Sequence, residues 1–457
     1  MSWRDGGGLA IRVRALVDRF RSSLFGVPVL WMVATIALSR LVIELDSSVD
    51  PISLPPLILT TVDSARAILS AIASGTITAA SVVFSLTLVA IQLSSSAYSS
   101  RVLRIFLRDP FQQNMIGLAL SAFVFSVLVL REVRGPVEEG GVPYLPSIAV
   151  AVAIIFALAA LLALLASINH TAQQLRVSTV SREITREVLA VVAERFRDPS
   201  GDSAPADHDG KSDAGFVEFP SSPVSPGRVV TAGRSGWVQQ ISLQALLETV
   251  EPHDAIRIEV AVGMYIYADA PLVTIWTSKP SSLIGLEKRI REAFGVGDQR
   301  TLQQDVAFGL VMLEDIALKA LSPGVNDPNT AHAVIPQIGE VVLQILSQKV
   351  PARFVVVDDR RIFRPSEPTH HDFVALAFDQ IRACSRSQVT VLASILVTLQ
   401  TVRSELVRRD RVTREALAAL QAQVGAVLAE IRLSGATEQG QASALALLDR
   451  TAWRLDG

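Results

Sequence analysis

The chain has 457 residues, half of them apolar, and a mean hydropathy of +0.39, high for a soluble protein. Its net charge of −2 gives no global field for nucleic acid. A single cysteine, Cys384, excludes an internal disulfide and any cysteine-built zinc site, and suits a reducing compartment.

The apolar excess lies in the first third. Met1–Ser23 is basic, with Arg4, Arg12, Arg14, Arg19 and Arg21, and has no early apolar core before a small-residue cleavage site. No cleaved signal peptide is expected, and the segment reads as a positive-inside anchor. Leu24–Ile43 is the first expected span. The loop Glu44–Ala67 holds four acidic residues against Arg66 and reads as the outer side.

Ile68–Leu93 has no charged side chain and is long enough to cross a hydrocarbon core, which takes ~20 helical residues. Ser74, Thr78, Ser81, Ser85 and Gln92 recur in steps that put them on one narrow helical face, interrupted by Leu88. Beside them run Ala71, Gly75 and Ala79, a row of small residues that lets another helix approach closely. Ser94–Asp109 carries Arg101, Arg104 and Arg108 and belongs on the inner side. Met115–Leu130 is the third expected span, and Pro146–Ile168 the fourth. The fourth ends at Asn169 and His170 and runs into Arg176, Arg182 and Arg186. The arginine bias puts both termini inside, on the cytosolic side of a cytoplasmic membrane, with two outer loops. Ser387–Val402 is a rival fifth span, but it is short, polar on one side and bounded by Arg386 and Arg403.

A cytosolic α+β region is expected to follow. Thr171–Arg197 should continue the fourth span as a helix, and residues 198–227 have the Asp, Ser, Pro and Gly content of a disordered linker. Residues 228–280 alternate strand-like runs with turns around a short helix, Leu243–Val250, and read as a small β-barrel-like module of the barrel-sandwich kind. The strand-bearing stretch Arg228–Trp276 contains no lysine for covalent cofactor attachment. Residues 281–350 are expected to be helical. A helix opens at the Arg300–Asp305 run and stops at Ser322-Pro323-Gly324, and Asp327 N-caps the next with Pro328 at its first position. Residues 351–457 read as a β-hairpin turning at Asp358-Asp359, a long helix Phe373–Arg409, and helices over Val412–Leu433 and Thr437–Leu455.

No phosphate loop, dinucleotide fingerprint, nucleophile elbow or His-Glu-x-x-His motif occurs. His370-His371-Asp372 are adjacent, which is poor spacing for a shared metal. No enzymatic activity, cofactor or metal is therefore expected. The remaining candidate pocket or interface comprises Arg300, Asp305, Asp315, Asn326, Asp327 and His332.

Ser74–Asp109 resembles the signature of a bacterial family of predicted membrane proteins, domain of unknown function 2254. Ser235-Gly236-Trp237-Val238-Gln239, the Arg300-Thr301…Asp305 run, and Asp315 through Pro328 with its Ser-Pro-Gly-Val-Asn-Asp-Pro core are similar to that family's recurrent motifs. The likeness covers nearly the whole chain. Ser99-Ser100-Arg101 departs from the family's frequent Ser-Pro-Arg, and Lys319 from its arginine. The resemblance implies architecture and carries no established activity.

The resulting expectation is a four-span membrane protein with a large cytosolic part. It would be a homo-oligomeric channel or transport-related protein for an ion or small solute, with the polar stripe lining a hydrated path and Arg101, Arg104 and Arg108 at its inner mouth. The alternative is a membrane-anchored scaffold or sensor in which the stripe packs helices together.

Overall fold

The computed structural model describes residues 25–48, 61–97, 109–135, 144–174, 176–196, 227–277, 283–349, 353–357, 359–364 and 366–434. The chain divides between Thr179 and Val180 into two compact units. The first contains α1 (Gly26–Ser48), α2 (Val62–Ala97), α3 (Pro110–Glu132) and α4 (Ser147–Gln174), and α5 (Val177–Arg195) straddles the division.

In the four-helix unit, α3 packs against all three other helices. Half of its apolar window is buried, against 28% for each of the others. Small residues make this closeness possible: Ala119, Ala122 and Ser126 of α3 are buried, as are Ala149, Ala153 and Ala160 of α4. At Gly117 of α3 a Cβ would come within 2.6 Å of the Trp31 ring on α1, so only glycine fits. Phe125 fills the centre and meets Phe156 with ring centroids 5.3 Å apart.

One end of this unit is held by polar contacts between helix termini. The Asp46 carboxylate of α1 accepts the N–H groups of Ile148 and Ala149, satisfying the free donors at the start of α4. The Tyr144 hydroxyl donates to the Ile43 carbonyl, and Arg66 donates to that of Val133. At the other end Asp109 N-caps α3, with Pro110 at the first position.

The second unit holds β1 (Arg228–Thr231), β2 (Gly236–Ile241), α6 (Leu243–Thr249), β3 (Ala255–Ile258), β4 (Tyr265–Ile266), β5 (Pro271–Trp276), α7 (Leu283–Glu292) and β6 (Phe294–Gly297). These are followed by α8 (Val306–Leu321), α9 (Pro328–Leu346), β7 (Phe354–Val357), β8 (Arg360–Phe363), α10 (His370–Cys384), α11 (Val389–Arg408) and α12 (Arg414–Leu433). Five strands form one sheet in the order β1-β5-β3-β8-β7, antiparallel except for the parallel β3–β8 pair. The other three form an antiparallel sheet, β4-β2-β6. Val238, Ile256, Ile258, Val273 and Ile275 from both sheets share a core with Leu246 of α6 and Ile290 of α7. Beyond the sheets, α8, α9, α10, α11 and α12 pack into a helical layer.

Several expectations are corrected. Neither sheet closes into a barrel, because the distant β8 pairs with β3 and extends the larger sheet beyond residues 228–280. Among the described residues six helices, not four, are long and apolar enough to cross a membrane. They are α1 to α4, α11 and α12. Most of the short run Ser387–Val402 belongs to a helix that starts at Val389 and continues to Arg408, which brings α11 to full spanning length. The helix expected from Arg300 starts at Val306, because Asp305 caps it instead of belonging to it. The helix expected over 373–409 is broken at Ser385–Gln388, and that over 171–197 ends at Gln174 before α5 begins. Residues 1–23, nearly all of 198–227, Arg101, Arg104, Arg108 and Thr437–Leu455 lie outside the described residues.

Candidate functional site

Ser74, Thr78, Ser81, Ser85 and Gln92 are all exposed on the surface of the four-helix unit. The face of α2 that packs inward carries Ala73, Thr76, Ala80, Val83, Thr87 and Ala90 instead. Thr78 donates to the Ser74 carbonyl at 2.8 Å and Ser81 to that of Ile77 at 2.9 Å, so both hydroxyls are satisfied within their own helix. A Cβ at Gly75 would meet nothing within 4 Å, which leaves room for another backbone. Ile77, Val82, Phe84, Leu88 and Val89 are exposed around the stripe.

A buried polar network lies at the Asp109 end of the unit. The Gln112 amide donates to Thr87 Oγ1 at 2.6 Å and accepts from Ser167 Oγ at 2.9 Å, joining α2, α3 and α4. Next to it Asp109, His170 and Gln174 converge. His170 Nε2 is 2.8 Å from Asp109 Oδ2, while Gln174 Nε2 is 2.9 Å from both. Asp109 Oδ1 accepts the Phe111 N–H at 3.0 Å, and the Phe111 and His170 ring centroids are 4.3 Å apart. Thr87, Asp109, Gln112, Thr171 and Gln174 line a cavity of about 10 Å³ alongside, enough for roughly one water. The sequence offered a signal here: His170 and Gln174 are four residues apart on one helix, and Asp109 precedes a Pro-initiated helix. That signal fell at the margin of the expected spans.

In the α/β unit, Arg300 and Asp305 form a two-pronged pair, Nε to Oδ2 at 2.9 Å and Nη2 to Oδ1 at 3.0 Å. The Arg300 guanidinium also lies 5.8 Å from the Trp237 ring centre and 5.0 Å from that of Phe308. Gly263, at φ +88°, turns the chain over this pair, and a Cβ there would collide with the Asp305 carboxylate. Gln239 donates to the Gln299 carbonyl, and Arg195 reaches both the Gln304 carbonyl and Glu367. The Ser235–Gln239 motif and the Arg300…Asp305 run thus meet at one joint between sheet and helices. Burial pushes the Asp305 carboxyl above the ordinary carboxylate range, against the Arg300 charge and the Phe308 N–H.

Asn326, Asp327 and His332 lie at the opposite end of α8, ~24 Å away for a 16-residue helix. Asn326 takes φ +48° and accepts from Gln388, while Asp327 caps α9 through the Thr330 N–H and hydroxyl. Asp315 is mid-helix, ~15 Å along α8 from Asp305. The six residues therefore occupy separate places, and Asp305, Asp315 and His332 do not converge. His370, His371 and Asp372 do not converge either: His370 is buried, and Asp372 closes a capping box with Thr369. Among the described residues no trio of His, Cys, Asp or Glu side chains gathers to hold a metal.

Comparison with known proteins points to a membrane protein. Uncharacterized proteins of Mycobacterium tuberculosis and Mycobacterium bovis are each 29% identical to this chain over 392 residues, covering 83% of it and 71% of their own length. No solved structure matches. The model of the predicted membrane protein family DUF2254 matches residues 21–401, and the chain belongs to that family.

Proposed function

We propose that the protein crosses the cytoplasmic membrane four times, with α1 to α4 as the spans and residues 180–434 in the cytosol. Exposed large apolar side chains favour α1, α2 and α4 among the six candidate helices, and α3 packs among those three. Val29, Leu30, Val33, Ile36, Leu41 and Leu45 stud α1, and Ile155, Leu158, Leu161, Leu162 and Leu165 stud α4. Such surfaces suit lipid. On α12, by contrast, Arg414, Glu415 and Gln421 are exposed, and Glu430 pairs with Arg382 and Arg386. Helix α11 is mostly buried against its neighbours.

Within that frame the protein is a homo-oligomeric channel or transport-related protein, in which the α2 faces of several copies surround a path for an ion or small solute. The outward aim of Ser74, Thr78, Ser81, Ser85 and Gln92 carries this reading. The described residues of one protomer enclose no path along them. The open approach at Gly75 and the self-bonded Thr78 and Ser81 hydroxyls favour a second reading, in which the same face is a packing seam of an anchored scaffold.

Replacing Ser81 with Leu separates the two. Reconstituted in liposomes, a channel loses ion flux while native mass spectrometry still shows the oligomer. A packing seam loses the oligomer, and absence of flux from the unmodified protein overturns the channel reading. Disulfide trapping of Ser81→Cys in a Cys384→Ser background reports whether α2 meets α2.

A further inference from the structure

We propose that Asp109, His170 and Gln174 form a binding site for a divalent first-row transition-metal ion at one end of the four-helix unit. The inference does not rest on the reading of the α2 stripe. It starts from a hydrogen-bonding conflict. The three polar atoms form a triangle with edges of 2.8, 2.9 and 2.9 Å. An imidazole Nε2 carries either a proton or one lone pair, so it serves as donor or acceptor but not both. If it donates to Asp109, the Gln174 N–H faces another N–H. If it accepts from Gln174, its lone pair faces the carboxylate. At most two of the three edges are good hydrogen bonds.

A cation removes the conflict. The two ends of a carboxamide have nearly the same shape, so a half-turn of the Gln174 amide brings Oε1 to the place of Nε2. Three lone-pair donors then face one another: a carboxylate oxygen, an imidazole nitrogen and an amide oxygen. Ligands at right angles around an ion with bonds of ~2.0–2.1 Å are separated by ~2.9 Å, the spacing found here. One imidazole among oxygen ligands at right angles suits six-coordinate manganese, iron or cobalt better than magnesium or calcium, and better than zinc, whose usual tetrahedron spaces its ligands more widely.

The surroundings fit this use. His170 and Gln174 stand four residues apart on one face of the last turn of α4, where the negative end of the helix dipole favours a cation. The Phe111 N–H holds Asp109 Oδ1, which orients the carboxylate and leaves Oδ2 for the ion, and the Phe111 ring packs against the imidazole. Asp109 is 8% exposed. The cavity beside Asp109 and Gln174 has room for a water to complete the coordination.

The test uses tag-free full-length protein in detergent, stripped with a chelator, dialysed, and titrated with Mn²⁺ or Co²⁺. The expected result is one tightly held ion per chain by elemental analysis and a rise in Tm. Asp109→Asn, which keeps the helix cap, and His170→Gln should each weaken binding by more than the ~10–100-fold typical of outer-sphere partners. Gln174→Glu supplies a second carboxylate and should bind the ion more tightly than the unmodified protein. If the cluster is only a hydrogen-bonded clamp, Gln174→Glu places two carboxylates together, lowers the Tm, and gains nothing from metal. That outcome overturns the proposal, as does the absence of stoichiometric binding or equal binding by Asp109→Asn and His170→Gln.

Discussion

The two units lean on different polar contacts. In the four-helix unit four buried hydroxyls bond backwards to their own helix: Thr35 to Trp31, Thr76 to Ile72, Thr87 to Val83 and Ser126 to Ala122. In the α/β unit partly buried arginines pair with carboxylates through side chains: Arg300 with Asp305, Arg195 with Glu367, Arg364 with Glu367, and Arg382 with Glu430. On the proposed four-span topology the difference follows from the solvent. A helix in hydrocarbon has no water to complete a stray donor, so self-satisfied hydroxyls are the safe way to be polar. A protein folding in water can bury a charge if its partner arrives with it.

Breaking one buried pair tests the second half of this contrast most strongly. Arg300→Met strands the Asp305 carboxylate in a site it shares with Phe308 and Gly263. We expect a loss of about 3–5 kcal/mol, read from the thermal unfolding of the full chain in detergent. Adding Asp305→Asn should recover much of that loss, because the charge left behind is the main cost. A single-variant loss below 1 kcal/mol would mean that water reaches the carboxylate.

Gln112 tests the first half. It is one of the side chains in the four-helix unit that joins helices to one another, through Thr87 and Ser167. Gln112→Leu should cost only about 1 kcal/mol, since interhelical hydrogen bonds in membranes average ~0.6 kcal/mol each and Thr87 keeps its bond to Val83. Unfolding in mixed micelles reads this difference. A cost as large as that of Arg300→Met would erase the contrast.

A pH effect sharpens the picture of the α/β unit. Burial holds the His370 imidazole below its ordinary pKa of 6.5, with the Gln348 carbonyl and Glu415 pulling the other way. Below pH 6.5 the unfolded chain takes up the proton first, so stability present above that pH is lost as the pH falls toward the folded pKa. His370→Gln should remove this acid-side slope, which is at most about 1.4 kcal/mol per pH unit. An unchanged slope would assign it to another group.

Local features were the most legible in the sequence. Asp327 with Pro328, the hairpin Phe354–Phe363, and the short helix after Ile241 follow from caps, turns and periodicity. Which way the α2 stripe faces was not legible, because both its polar side and its small-residue side suit a buried interface; the choice is made by Thr76 and Thr87 packing inward. Nor was the fate of the Arg300 motif, whose spacing matched a helix start while its chemistry closed a joint with Trp237 and Gly263. The Asp109 cluster was hidden for a related reason. Its members lie some sixty residues apart, and only the antiparallel packing of α3 and α4 unites them.

The parallel pairing of β3 with β8 also bears on how the chain is made. Ile256 lies opposite Ile362, about a hundred residues later. Until that later segment leaves the ribosome, β3 presents an open edge with Ile256 and Ile258 beside it. A long loop must close before the pairing stabilises anything, which makes this a late and slow step. During that interval the exposed edge is a site where two growing copies can pair wrongly. Holding nascent chains apart is thus a requirement that this sheet places on biogenesis, whatever the finished protein does.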